Sequence, residues 1–126
     1  MKRDMDLIRR IVLAVQDLPA STGGRDMQML NSLEGVDGAL FAAHAQLLDE
    51  AGLIRAALQG DGKRVPGAAV IYRLTWAGHE FADSIRDDTL WKKVSDRVIK
   101  PSASWTFATL GEVIKLEIQR RLGLSE

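Results

Sequence analysis

The 126-residue chain contains no cysteine. Disulfides, zinc–thiolate sites and thiol nucleophiles are thereby excluded, and nothing points to an oxidising compartment. Proline is scarce at 3 residues, and aromatics make up only 6%, so a core must be built chiefly from aliphatic side chains. Net charge is missing as well: 17 Lys and Arg balance 17 Asp and Glu. The chain therefore lacks the global excess of Lys and Arg that draws a protein to polyanions, which leaves room for a local basic patch. Long apolar runs are absent too. The N-terminus is basic and then apolar, but Asp4, Asp6, Arg9 and Arg10 interrupt it. No stretch nears the ~20 apolar residues of a membrane span. A soluble, cytoplasmic protein without membrane attachment is the expectation.

What is present suffices for one core. Hydrophobic residues make up 46% of the chain, and its length suits a single domain over residues 1–126. Leu7, Ile8, Ile11, Val12, Val15 and Leu18 follow the spacing of an amphipathic helix capped by Asp4 and stopped by Pro19. A Gly23-Gly24 turn follows. Residues 27–33 read either as a short strand or as a turn of helix. A second helix of about fourteen residues starts near Asp37, with Gly52 where a left-handed cap belongs.

Residues 43–78 organise the rest. Two β-prone runs, residues 53–58 and 69–74, flank the loop GDGKRVPG and form a hairpin. Thr75 caps a helix from Trp76 with Phe81 and Ile85 facing in; Asp87-Asp88-Thr89 restarts helix for Leu90, Trp91, Val94 and Val98. Pro101 breaks it. Phe107, Leu110, Ile114, Ile118 and Leu122 define a final helix ended by Gly123, with Ser104 as an early cap or Thr109 and Glu112 as a later capping box. The fold class expected is α+β and mainly helical: a winged helix-turn-helix over residues 1–88 with a β-hairpin wing, extended by C-terminal helices over residues 89–126.

The segments MKRDMDLIRRI, HAQLLDEAGLI and YRLTWAGHEFADSIRDDTLWKKV resemble a family of small bacterial and prophage-associated proteins, domain of unknown function 2513, across nearly the whole chain. More loosely, LLDEAGLI followed by RLTWAG is similar to winged-helix regulators of the MarR and PadR kind. The closer resemblance implies a fold and no particular activity. The looser one implies dimeric binding to operator DNA.

The charges are polarised along the chain. Residues 26–51 hold Asp26, Glu34, Asp37, Asp49 and Glu50 and not one Lys or Arg, although a winged helix would lay its second helix in the major groove, where Arg and Lys dominate contacts. Gln46 and His44 are the polar groups left to touch base edges, and His44 lies on the apolar stripe. The hairpin is basic instead: Arg55, Lys63, Arg64 and Arg73 face one acid, Asp61. With Arg25 they are the candidate contacts to double-stranded DNA, by phosphate neutralisation; a solvated loop tip is the plain alternative. Polarised charge equally suits a protein partner, so a host-protein interaction module is the second reading.

Trp105 beside Pro101 reads as a lid on the core or as an interface anchor. Val113, Ile114, Leu116 and Ile118 give the final helix an apolar face wider than one contact requires, which suits a homodimer through that helix. His79, Asp83 and Asp87 follow the i, i+4 spacing that can gather metal ligands, but also that of a surface hydrogen-bond network, which is the plainer reading. No nucleophile stands beside a base and no glycine motif cradles a phosphate. No enzyme activity, cofactor, metal or small-molecule substrate is expected.

Overall fold

Asp4 opens the first helix. In the computed structural model, which describes residues 1–20, 28–60, 67–99 and 107–123, its Oδ1 accepts the amides of Asp6 at 3.0 Å and Leu7 at 3.1 Å. Helix α1 (Met5–Gln16) buries Leu7, Ile8, Ile11, Val12 and Val15 of the stripe its spacing predicts, whereas Leu18, expected to continue it, lies past the helix end and is half-buried. Arg10 Nη2 donates to the Glu34 carbonyl at 2.7 Å, which ties α1 to the turn where Gly35 takes φ 75°. Two compact units divide the chain, Met1–Glu80 and Phe81–Glu126.

In the first unit the ambiguous segment before that turn forms a single β-bridge, at Leu30, and no helix where described. Leu30 and Ile71 exchange backbone hydrogen bonds of 2.9 and 2.8 Å as an antiparallel bridge. Helix α2 (Gly38–Glu50) follows, capped by Asp37, whose Oδ2 accepts from the Leu40 amide at 3.4 Å. It ends where Gly52 takes φ 76°. Phe41, Ala42, Ala43, His44, Ala45 and Leu48 are all buried, so α2 lies sunk in the unit rather than raised on it.

Strands β1 (Ile54–Gln59) and β2 (Ala68–Leu74) pair antiparallel. Their inner face, with Ile54, Ala69, Ile71 and Leu74 buried, packs against α2 and α1. The chain then turns sharply into α3 (Trp76–Ile85). Thr75 Oγ1 donates to the Gly52 carbonyl at 2.7 Å and accepts from the Gly78 amide at 3.1 Å, so the expected cap is also a tie to the start of β1. Gly78 lies against the Leu53 backbone so closely that a Cβ there would overlap the Leu53 carbonyl oxygen.

The second unit is helical in its described residues. Ala82 and Ile85 of α3 are buried, whereas Phe81, expected to face in, is half-buried. The reason is the stripe set by Gly78, Ala82 and Ile85, which turns Phe81 to its margin. Helix α4 (Asp88–Val94) has Asp87 as N-cap and runs into one π-helical turn at Ser95–Ile99. Its buried Leu90, Trp91 and Val94 share a core with Leu110 and Ile114 of α5 (Phe107–Arg121).

Two expectations for α5 are corrected. Helix begins by Phe107, so Thr109 lies inside it rather than at its start. The inward stripe passes through Leu110, Ile114 and Glu117; Ile118 is half-buried and Leu122 exposed. Gly23, Gly24, Pro101 and Ser104 lie outside the described residues. Among the described residues no helix is long and apolar enough to cross a membrane.

Candidate functional site

The outer face of the hairpin carries the most unusual arrangement in the first unit. Arg55 lies opposite Arg73, but Ala56 lies opposite Ile71, so Tyr72 is an extra residue on β2. That is a β-bulge. Strict alternation would put Arg73 on the same side as the buried Ile71 and Ala69. The extra residue turns both Tyr72 and Arg73 outward and returns Leu74 to the core, giving two consecutive exposed positions between buried ones. Arg55 is exposed as well.

Directly opposed like charges destabilise a strand pair. The Arg73 guanidinium donates to the Leu74 carbonyl at 3.1 Å. Among the described residues neither Arg55 nor Arg73 is paired with a carboxylate. The hairpin thus holds two cations side by side with no carboxylate against them among the described residues, an arrangement that an anion would relieve.

Three residues beyond Arg73 stands Trp76, with 82% of its surface exposed. Sequence reasoning missed it, and the signal was there. On a helix of 3.6 residues per turn, position 76 lies opposite the side of 78, 82 and 85 that packs inward. A cleft of about 470 Å³ adjoins the same region, with Val15, Leu18 and Leu74 as apolar lining and Tyr72, Arg73 and His79 as polar lining.

Helix α2 offers little to a ligand. Its exposed positions are Gly38, Ala39, Asp49 and Glu50. His44 is fully buried and cannot reach a base edge. Its Nε2 accepts from the Asp4 amide and its Nδ1 lies 2.9 Å from the Leu40 carbonyl.

In the second unit the spaced acids have other partners. Asp87 Oδ1 accepts from the Leu90 amide at 2.9 Å and its Oδ2 meets Arg121 Nη1 at 2.8 Å. The Leu90 amide, and then Arg121, hold its carboxyl below the ordinary value of 3.8. Glu117 is buried among cations: Arg97 Nη1 at 2.7 Å, Arg120 Nη1 at 3.3 Å and Lys93 Nζ at 3.8 Å. No three His, Asp or Glu side chains converge on a metal position among the described residues.

Of the residues singled out from sequence, Arg55 and Arg73 come together on one face. Val113 is half-buried and Leu116 is 57% exposed on α5. Arg25, Lys63, Arg64 and Trp105 lie outside the described residues.

The chain belongs to the DUF2513 family, described as hypothetical protein, whose model matches residues 2–104. An uncharacterized protein of Haemophilus influenzae is 32% identical over 123 residues, which cover 97% of this chain and 99% of the relative. No solved structure matches it.

Proposed function

We propose, for a family whose description assigns no activity, that this chain is a non-enzymatic, regulator-like DNA-binding protein with a winged-helix fold. The order α1, the Leu30 bridge, α2 and the β1–β2 hairpin supports that fold reading, with α2 in the recognition position and the hairpin as the wing. The observation that carries the function is the Arg55–Arg73 pair, in which the Tyr72 bulge turns Arg73 outward opposite the exposed Arg55, without a carboxylate partner among the described residues. DNA phosphates supply the missing negative charge. Because α2 is acidic and sunk in the core, the contact is to backbone and carries little base readout. Lys63 and Arg64, which stand between the two strands in the sequence, add two more cations to the charge of this segment.

Duplex binding measured against salt tests this reading. Removing one cation from a DNA phosphate reduces the salt slope by about 0.9, so Arg55→Ala/Arg73→Ala is expected to flatten it by nearly two. Absence of binding at low salt to duplex and to single-stranded DNA alike would end the proposal.

A second reading, protein interaction or homodimerisation, is favoured by exposed Leu116 on α5 beside half-buried Val113. It predicts a solution mass above 13.9 kDa, reduced to that value by Leu116→Glu. A monomeric mass for the unmutated chain would remove the homodimer.

A further inference from the structure

We infer that the nucleic acid held by this hairpin has unpaired bases, and that Trp76 stacks on one of them; the inference rests on the DNA-binding reading and specifies its target. Trp76 is the most exposed large apolar side chain among the described residues, at 82%. It is also well anchored. Thr75 immediately before it is fixed by its side chain to the Gly52 carbonyl and by its amide, at 3.0 Å, to the Leu53 carbonyl. Two residues after it, Gly78 is pressed on the Leu53 backbone. The indole therefore stands in solvent on a rigid base, the condition for a preorganised contact.

Position and chemistry point to the occupant. Trp76 follows Arg73 by three residues, so their backbones are at most about 11 Å apart, well within the span of about four nucleotides used by the shortest single-strand sites. The chain around the bulge thus offers, close together along the backbone, two guanidiniums with no carboxylate partner among the described residues, the Tyr72 phenol and an indole. Phosphates answer the first and a base answers the last. In an intact duplex the base faces are covered by their neighbours and closed to an indole, so a stacking partner for Trp76 has to be unpaired. Such binding needs no hydrogen-bond readout, which fits an α2 without Lys or Arg. A protein partner would also use Trp and Arg; a nucleic acid answers both features at once, with regularly spaced phosphates for the two opposed guanidiniums and a base face for the indole.

The test uses the full chain with two labelled probes, an oligodeoxythymidylate of about 12 nucleotides and a mixed-sequence duplex of about the same length. The single strand is expected to bind about tenfold more tightly and to quench tryptophan fluorescence. Trp76→Ala should abolish that preference, Trp76→Phe should keep part of it, and Arg73→Ala should flatten the salt dependence on both probes. Because Trp76 is exposed, an unchanged circular dichroism spectrum should accompany each Trp76 variant. Duplex binding that depends on Arg73, with no preference for the single strand, would overturn this inference and leave the backbone-binding reading standing. So would single-strand binding unaffected by Trp76→Ala. Binding to neither probe would overturn both, and would turn attention to a protein partner.

Discussion

The backbone amide of Asp4 donates to the imidazole Nε2 of His44 at 2.9 Å, across 40 residues of sequence. Since Nε2 accepts, the ring proton belongs on Nδ1, which then donates to the Leu40 carbonyl at 2.9 Å. The Asp4 side chain meanwhile caps α1. One residue therefore joins the start of α1 to the middle of α2 and leaves both imidazole nitrogens satisfied in a fully buried position.

That link predicts the cost of losing it. His44→Ala opens a cavity and strands the Asp4 amide, so a loss of about 3 kcal/mol is expected. Urea unfolding should show a lower midpoint at an unchanged m-value. His44→Phe, which fills the space without the hydrogen bonds, should recover only part of the loss. Full recovery would mean that the bonds contribute nothing.

Two glycines should respond in opposite ways to alanine. In a helix interior, Gly→Ala ordinarily stabilises by about 1 kcal/mol. Gly111 on α5 has open space around its Cβ position and should follow that rule. Gly78 should invert it, losing about 2 kcal/mol or more, because the new methyl overlaps the Leu53 carbonyl oxygen. Equal thermal midpoints for the two variants would contradict the close approach of Gly78 to the Leu53 backbone.

Asp87 sets a pH dependence. Its folded carboxyl titrates below 3.8 because the Leu90 amide, and then Arg121, favour the charged form. A depressed pKa contributes stability that is present above the unfolded value and is lost as pH falls through the folded one. Asp87→Ala should therefore lower the thermal midpoint at neutral pH, with the difference shrinking as pH drops below 3.8. Asp87→Asn should keep most of the cap and lose only the Arg121 pair, which salt already screens. A difference between wild type and Asp87→Ala that persists undiminished in strong acid would refute this account.

Glu117 is the buried acid of the second unit. Removing it leaves Arg97, Arg120 and Lys93 facing one another around an empty place, and Glu117→Ala should cost about 2 kcal/mol. These cations are roughly half exposed, with side-chain accessibilities of 44% to 60%, so each pair is weaker than a fully buried one. A double-mutant cycle with Arg97→Ala should give a coupling of about 1 kcal/mol. Additive effects would show that burial of the Glu117 stem, rather than its charge, matters.

The sequence by itself determined the elements whose causes are local. Asp4, Asp37, Thr75 and Asp87 cap helices because their side-chain oxygens reach amides two or three residues ahead. Gly52 ends α2 because φ 76° suits a residue without a Cβ. The stripes of α1 and α4 followed from helical period alone, and so did the place of His44 in the core. What the tertiary structure decided depends on contacts between distant segments. A bulge is a register shift between two strands, and no period in β2 announces that Tyr72 and Arg73 both turn outward. Glu117 reads as a polar-face residue until Arg97 and Lys93, from an earlier part of the chain, are brought around it. Trp76 falls between the two cases. Its helix phase already pointed away from the core, but the rigidity of its platform exists only because Thr75 and Gly78 are held against the carbonyls of Gly52 and Leu53.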